Sequence, residues 1–158
     1  MAITKIIADS ITSGAIANTP AFHVRLSSNQ TLSHDTLTRI AWDTELFDTD
    51  SAFASNVFTV PSGKGGKYLF NFCVFGDDSD DTDTWNAYIE VDGTVNYDSQ
   101  SNLCSPRSGQ NMVLNKTVII TLTAGQVVEV VSKHQGTNQN EEVRTNGSYF
   151  AGYKLIGI

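Results

Sequence analysis

Cysteines, charged residues and long apolar runs are all scarce in this sequence, and each shortage excludes a class of protein. The two cysteines cannot build a disulfide framework; we expect Cys73 to be buried in a strand and Cys104 to be exposed in a turn. No stretch approaches the roughly 20 apolar residues of a membrane-spanning helix. The N-terminal residues lack the continuous apolar core of a secretory signal. We therefore expect a protein made in a reducing cytoplasm and not inserted in a membrane.

Positive charge is scarce as well. Charged residues make up 17% of the chain, and the formal net charge is −7. A negatively charged protein repels the phosphates of nucleic acids and anionic membrane surfaces, so we expect neither as a partner. The 158 residues suffice for one domain that buries roughly 70% of its unfolded surface.

The sequence also lacks the residue patterns of catalytic sites. Its histidines (His23, His34 and His134) lie on unrelated segments without the spacing of paired metal ligands; we expect His23 to be half-buried and the others to lie in loops. There is no Gly-x-Ser-x-Gly elbow, and burial would hold the proton of Cys73 more tightly. The glycine-rich turn Ser62–Tyr68 leads into a strand, whereas a phosphate loop needs a helix N-terminus. The sequence predicts a protein that is not an enzyme.

A stretch rich in β-forming residues, Val57–Phe75, organises the rest of the chain. It contains a short strand, a Pro/Gly turn and a long strand that is apolar on both faces. Successive side chains of a strand point to opposite faces, which separates Tyr68, Phe70, Phe72 and Val74 from Leu69, Cys73 and Phe75. A sandwich usually covers one face of a strand, so the second apolar face indicates a subunit contact.

The chain from Pro20 onward has the pattern of an all-β sandwich or jelly roll, with eight to ten short strands and no helix. Asp92-Gly93 is a strong two-residue hairpin signal. The expected strands are Ala21–Leu26, Thr38–Trp42, Glu45–Asp48, Phe53–Val60, the long strand ending at Phe75, Thr84–Val91, Thr94–Tyr97, Met112–Leu122, Gln126–Ser132 and Ser148–Ile158.

Residues 1–19 differ from the rest of the chain. Their isoleucines are spaced through small and polar residues in a pattern that fits neither helix nor strand. Either the segment is an arm that packs on a neighbour or a larger assembly, or it is a frayed tail. The anchoring residues of such an arm would be Ile3, Ile6, Ile7, Ile11 and Ile16.

An acidic segment follows the long strand, with five carboxylates in seven positions: Asp77, Asp78, Asp80, Asp81 and Asp83. Two interpretations stay open, a solvated loop with loosely held counterions and a calcium site with oxygen ligands. The segment lacks the glycine and closing glutamate of an EF-hand. Trp85 follows it, either as a core residue at a strand end or as a stacking platform for a sugar.

Four segments resemble the globular head of complement component C1q, a tumour-necrosis-factor-like jelly roll. They match the family's opening strand, its Phe-Thr-x-Pro and Gly-x-Tyr-x-Phe signature, its Leu-x-x-Gly turn and its closing aromatic strand. The sequence departs from the family in a longer turn after Pro61, in Gln126 where Asp is usual, and in Lys154 within the closing strand. The segments are Ala21–Val24, Phe58–Pro61 with Gly66–Phe70, Leu122–Val128 and Tyr149–Tyr153.

The resemblance implies a homotrimeric jelly roll of about ten strands over residues 20–158, which binds partners through loops at its outer end. Family members that lack both a signal peptide and a collagen-like stem are found among bacteriophage structural proteins, and an isoleucine-spaced arm followed by such a head resembles that arrangement. We therefore expect a virion protein, either a fibre head that binds a host-surface glycan or protein, or a capsid decoration held to other virion proteins by its arm. The alternative is a free, calcium-dependent, lectin-like module of a bacterium. The expected trimer contacts are Tyr68, Phe70, Phe72, Phe150 and Tyr153.

Overall fold

The computed structural model describes residues 18–77, 84–104, 111–136 and 140–156. These residues form thirteen β-strands and contain no helix, so none that could span a membrane. The strands are β1 (Ala21–Arg25), β2 (Gln30–Leu32), β3 (Thr38–Arg39), β4 (Thr44–Asp48), β5 (Phe53–Ala54), β6 (Val57–Thr59), β7 (Gly66–Asp77), β8 (Thr84–Val91), β9 (Thr94–Cys104), β10 (Asn111–Leu122), β11 (Val127–Gln135), β12 (Glu141–Val143) and β13 (Tyr149–Lys154).

The strands pair in two antiparallel sheets that pack face to face, which confirms the all-β jelly-roll prediction. The first sheet has the order β2-β12-β7-β13-β1-β4, and β10 pairs with β7. The second sheet has the order β5-β6-β11-β8-β9, and β3 pairs with β11. Strand β7 is central because β10 pairs with it from Gly66 to Asp77, while β13 and β12 share its other side.

A cluster of aromatic rings fills the space between the sheets. The ring of Phe22 lies 4.9 Å from those of Phe58 and Phe150, measured between centroids. Gly152 is required by this packing, because a Cβ atom there would lie 2.5 Å from the Phe70 ring and 2.9 Å from the Phe22 ring. The Tyr68 hydroxyl donates a hydrogen bond of 2.7 Å to the carbonyl of Lys64. Burial, with a smaller contribution from the charge of Asp50, raises the pKa of Tyr68 to about 12.

This core corrects the expected trimer contacts. Tyr68, Phe70, Phe72 and Phe150 are all fully buried within a single chain, so they cannot contact a second subunit. The alternation along β7 was right, but the second sheet of the same chain covers the face that carries these rings. Tyr153 is different, since it lies half-buried on the opposite side of the first sheet.

Several strand boundaries also differ from the sequence prediction. The expected strand Phe53–Val60 is divided into β5 and β6 by a turn at Ser55 and Asn56, both of which have positive φ (52° and 68°). Strand β3 ends at Arg39, and β9 continues to Cys104. The sequence analysis missed β2 and β12, because each has only three residues. The Asp92-Gly93 hairpin is confirmed, with both residues at positive φ.

The two ends of the sandwich carry different parts of the chain. One end, here called the terminal end, holds the first and last parts of the described chain. There the Lys154 amide donates a hydrogen bond to the Pro20 carbonyl, and the Lys64 ammonium lies 3.4 Å from the Thr19 hydroxyl. At the opposite end, here called the loop end, the register brings together Asp77, Thr84, Cys104, Asn111, Gln135 and Glu142. The twelve residues of β7 separate the two ends by roughly 37 Å.

Candidate functional site

The side of the first sheet that faces away from the core, here called the outer face, exposes several large apolar side chains. Phe47 on β4 is 50% exposed, and Val113 and Ile119 on β10 are 51% and 56% exposed. Successive side chains of β10 point to opposite faces of the sheet. Its even-numbered residues point into the core, so Val113 and Ile119 point outward. Scattered exposed apolar residues are ordinary, but these share a sheet face with further apolar residues.

Rows of paired residues connect these side chains across the outer face. Ile119 pairs with Leu69, and Leu69 pairs with Tyr153, so that three apolar side chains lie side by side near the terminal end. Val113 pairs with Phe75 toward the loop end. Tyr153 is thus the one expected trimer contact that the structure leaves on an accessible face, and its role in assembly stays a prediction.

A polar network occupies the centre of the outer face. The Tyr149 hydroxyl donates a hydrogen bond of 2.5 Å to Asn71 Oδ1. Asn71 Nδ2 donates to the Thr117 hydroxyl at 2.8 Å and to the Lys116 carbonyl at 3.1 Å. Because these groups are satisfied within one chain, a partner could cover them without leaving Asn71 unpaired. The sequence analysis described β7 as apolar on both faces and missed this network.

His23 lies beside the polar network, half-buried as expected. Its ring contacts those of Phe47 and Tyr149, at centroid distances of 6.2 and 5.6 Å. Burial, aided by the charge of Arg25, lowers the pKa of His23. The neutral imidazole can therefore pack against the two aromatic rings at neutral pH.

The burial of the two cysteines is as expected, with Cys73 buried and Cys104 exposed, but Cys104 ends strand β9 rather than lying in a turn. Cys73 is buried on the outer face rather than among the core phenylalanines, since it pairs with Asn115 and Tyr149. Burial raises the pKa of its thiol, and a hydrogen bond with Asn115 opposes this shift. Cys73 is therefore protonated at neutral pH and is not an activated nucleophile.

The loop end carries an open cavity with a volume of about 380 Å³. Its lining combines one guanidinium group with hydroxyl and amide groups, a chemistry suited to hydrogen bonding with a polar ligand. Asn29 stabilises the adjoining turn, because its Oδ1 accepts a hydrogen bond of 3.1 Å from the Thr145 amide. The lining residues are Arg25, Leu26, Ser27, Thr44, Thr145 and Asn146.

A hydrogen-bonded contact between Asp43 and Ser27 stabilises the wall of the cavity. This contact makes the free energy of unfolding depend on pH. Ser27 donates to the Asp43 carboxylate from its hydroxyl at 2.6 Å and from its amide at 2.7 Å. These hydrogen bonds, chiefly that of the hydroxyl, lower the pKa of Asp43 against the opposing effect of desolvation. A depressed carboxyl pKa contributes stability above the unfolded pKa of about 3.9, and that stability is lost as the pH falls through the folded value.

We therefore expect Asp43→Asn to reduce the loss of stability in acid. Urea unfolding would be measured at neutral pH and at about pH 3 for the unmodified protein, Asp43→Asn and Ser27→Ala. Both variants should lose less unfolding free energy between the two conditions than the unmodified protein does. An equal loss in all three proteins would contradict a stabilising role for the charged Asp43–Ser27 contact.

Two of the expected sites fall outside the described residues. The isoleucine arm (Ile3, Ile6, Ile7, Ile11 and Ile16) lies wholly outside them. Of the acidic segment Asp77–Asp83, the structure describes only the backbone of Asp77, at the end of β7. The described residues contain no cluster of three or more metal-ligating side chains. Calcium binding by the acidic segment stays a prediction.

Trp85 is not the stacking platform that the sequence analysis considered. Its side chain is fully buried, with one side against Gly76, where a Cβ atom would lie 2.8 Å from the indole ring. The His134 ring lies 5.6 Å away. His134 is itself fully buried in β11, which corrects its assignment to a loop, and its Nε2 lies 3.1 Å from the Leu32 carbonyl oxygen.

Comparisons with known proteins identify the architecture through structure rather than sequence. No protein-family model matches the sequence, and no curated protein matches it significantly. The globular domain of zebrafish complement 1qA is similar in structure, with a TM-score of 0.55 and 15% identity over 87% of this chain and 98% of that chain. The Eiger TNF of S. frugiperda has a TM-score of 0.58 and 16% identity, over 87% and 93% of the two chains.

Murine APRIL is also similar, with a TM-score of 0.60 and 14% identity over 85% of this chain and 98% of that chain. At such identities the likeness establishes the fold and leaves the function open. The chain has the jelly-roll fold of C1q globular domains and TNF-family proteins.

Proposed function

We propose that this chain is a non-enzymatic, homotrimeric structural protein of a bacteriophage virion. The observation that supports self-association, on which the proposal depends, is the outer face, where Phe47, Val113 and Ile119 remain about half exposed in a single chain. Burial of apolar surface of this kind is the main driving force of association. Three copies of a jelly roll packed about a threefold axis would cover the three outer faces together, as the resemblance to C1q heads implies.

The placement of the two ends supports a head that projects from an anchored arm. The described chain begins beside Lys64 at the terminal end. The strand ends that flank residues 78–83, 105–110 and 137–139 all lie at the loop end. The proposed arm of residues 1–19 would thus join the head at the end remote from these strand ends and bind other virion proteins through its isoleucines.

The loop end is the proposed binding surface for a host-surface glycan or protein if the protein is a fibre head. The cavity lined by Arg25, Ser27 and Thr145 adds hydrogen-bonding groups to this end. Three copies of the surface in one trimer would multiply weak individual contacts by avidity. A capsid decoration would be held by the same arm and would display the same head, but its loop end would bind no host-surface glycan or protein. In both cases the protein is made in the host cytoplasm and displayed on the virion surface.

Light scattering tests the assembly on which the proposal depends. The solution mass would be measured for the full chain and for a chain lacking residues 1–19, each with and without a calcium chelator. We expect a trimer in all four samples. A monomer in every sample would overturn the proposal, whereas loss of the trimer on chelation would make the acidic segment a structural calcium site.

Antibody labelling of intact particles tests the virion location separately. We expect labelled particles to carry the head on their surface. We also expect protein lacking residues 1–19 to form trimers without binding to particles that lack the native protein. A truncated trimer that binds such particles as well as the full chain does would contradict the role of the arm.

A further inference from the structure

A bulge in β9 projects an aromatic side chain from the second sheet, on the side remote from the core. The pairing of β8 with β9 shifts around Tyr88: Ala87 pairs with Ser101 and Ile89 pairs with Asn96, so four residues of β9 (97–100) lie opposite Tyr88. Bulges of this kind bend a strand and redirect its side chains. Tyr97, within the bulge, is 73% exposed, which is more than any other large hydrophobic side chain among the described residues.

The bulge is held in place by a buried hydroxyl group. Ser99 is fully buried, and its hydroxyl accepts a hydrogen bond of 2.7 Å from the Ile89 amide and donates one of 2.5 Å to the Asn96 carbonyl. The Asp98 amide donates to Asn96 Oδ1 at 3.0 Å. The exposure of Tyr97 therefore results from a backbone conformation with satisfied hydrogen bonds and not from a chain end without contacts.

The Tyr97 ring contacts the ring of Tyr88, whose hydroxyl lies in a small group of polar side chains. The centroids of the two rings lie 6.0 Å apart, and the rings are nearly perpendicular at 79°. Gln100 Nε2 donates toward both the Tyr88 hydroxyl and Asn86 Oδ1, at 3.3 Å each. Asn86 is only 6% exposed, so it orients the exposed Gln100 amide. We call Tyr88, Tyr97, Gln100 and Asn86 the tyrosine platform.

We propose that the tyrosine platform binds an uncharged glycan. A sugar ring has an apolar C–H face, which can stack on the free face of Tyr97, and a rim of hydroxyl groups, which can pair with the Gln100 amide and the Tyr88 hydroxyl. This site lies on the second sheet and is complete in one chain, so the proposal does not depend on the trimer or on the loop end.

The charges around the tyrosine platform favour this ligand over others that also stack on aromatic rings. Glu129 is neutralised by an ion pair with Arg39, but Glu90 lies beside Glu129 in the sheet register, and Asp98 is exposed in the bulge. The carboxylates of Glu90 and Asp98 repel phosphates and sugar acids. A protein partner would need about 800 Å² of complementary surface, whereas the apolar part of this site is little larger than one exposed ring.

A glycan array tests the proposal with neutral oligosaccharides (gluco-, manno- and galacto-oligosaccharides) beside sulfated and sialylated ones as probes. The unmodified protein should bind at least one neutral class. Tyr97→Ala and Gln100→Ala should each weaken that binding, Tyr97→Ala by roughly tenfold or more. Tyr97→Phe should bind like the unmodified protein, because it keeps the stacking face.

Leu46→Ala is the matched control, since Leu46 is also exposed, at 50%, but lies on β4 of the first sheet. It should leave glycan binding unchanged, and all variants should melt at the same temperature as the unmodified protein because their side chains are exposed. Absence of binding to every neutral glycan would overturn the proposal. So would binding only to acidic glycans, or unchanged binding by Tyr97→Ala.

Discussion

Ile119→Lys is expected to convert the proposed trimer into a monomer that remains folded. Ile119 is 56% exposed in the single chain and pairs with Leu69 in the apolar row of the outer face. In a trimer that covers this face, the variant would lose apolar burial and place an unpaired ammonium group in the interface. The second effect costs several kcal/mol at each site.

The expected change is large because the substitution occurs once in each subunit. A total of more than about 5 kcal/mol for three copies corresponds to a weakening of association by roughly 10³-fold or more. Lysine is the appropriate replacement, since it lowers the net negative charge of −7. Dissociation would therefore not result from stronger repulsion between subunits.

Light scattering of the unmodified protein, Ile119→Lys and Leu37→Lys would measure this effect. Leu37→Lys introduces the same charge at an exposed apolar residue outside the outer face and should remain trimeric. If Ile119→Lys also remains trimeric, the outer face is not the assembly surface, and the proposed function loses its main support.

Phe70→Ala is expected to destabilise the fold of each subunit by about 4 kcal/mol. Phe70 is fully buried, and its ring lies within 5.9 Å of those of Phe58, Tyr68 and Phe150. Removing it leaves a cavity between two sheets whose backbones cannot move together freely. Such substitutions typically lower the free energy of unfolding by about 3–5 kcal/mol. The whole free energy of unfolding of a domain of this size is only about 5–15 kcal/mol.

Urea unfolding in the Ile119→Lys background would isolate this effect from dissociation. Leu69→Ala is the matched control, because Leu69 is the residue directly before Phe70 on β7 but points to the outer face. Leu69→Ala should lower the free energy of unfolding by less than half as much as Phe70→Ala does. If Phe70→Ala dissociated the trimer in the otherwise unmodified protein and left subunit stability unchanged in the Ile119→Lys background, the original prediction that Phe70 is a trimer contact would be restored.

Local sequence patterns were sufficient to predict the fold class. Alternation of apolar residues predicted strands β7, β8 and β10, and Asp92-Gly93 predicted the hairpin that the structure confirms. The C1q-like segments predicted the jelly roll. These features depend on residues close together in the chain, where the geometry of a strand or a turn leaves few alternatives.

The patterns were not sufficient to predict which face of a strand meets which neighbour. Both faces of β7 carry apolar residues, so alternation separated Phe70 from Leu69 without indicating which one faces the core. For Trp85 the sequence favoured a core residue but left a sugar platform open. The choice depends on long-range pairing, which places Gly76 and His134 against the indole ring.

The sequence by itself thus determined an all-β jelly roll with two cysteines in contrasting environments and a long strand whose alternate residues lie on opposite faces. The tertiary structure decided that the second sheet covers Tyr68, Phe70, Phe72 and Phe150, which leaves the opposite face of the first sheet accessible in a single chain. It also decided that Tyr97 projects from the second sheet, since its exposure depends on the shifted pairing of β8 with β9. Burial is a property of surfaces brought together from distant parts of the chain, and for that reason neither result follows from residue type alone.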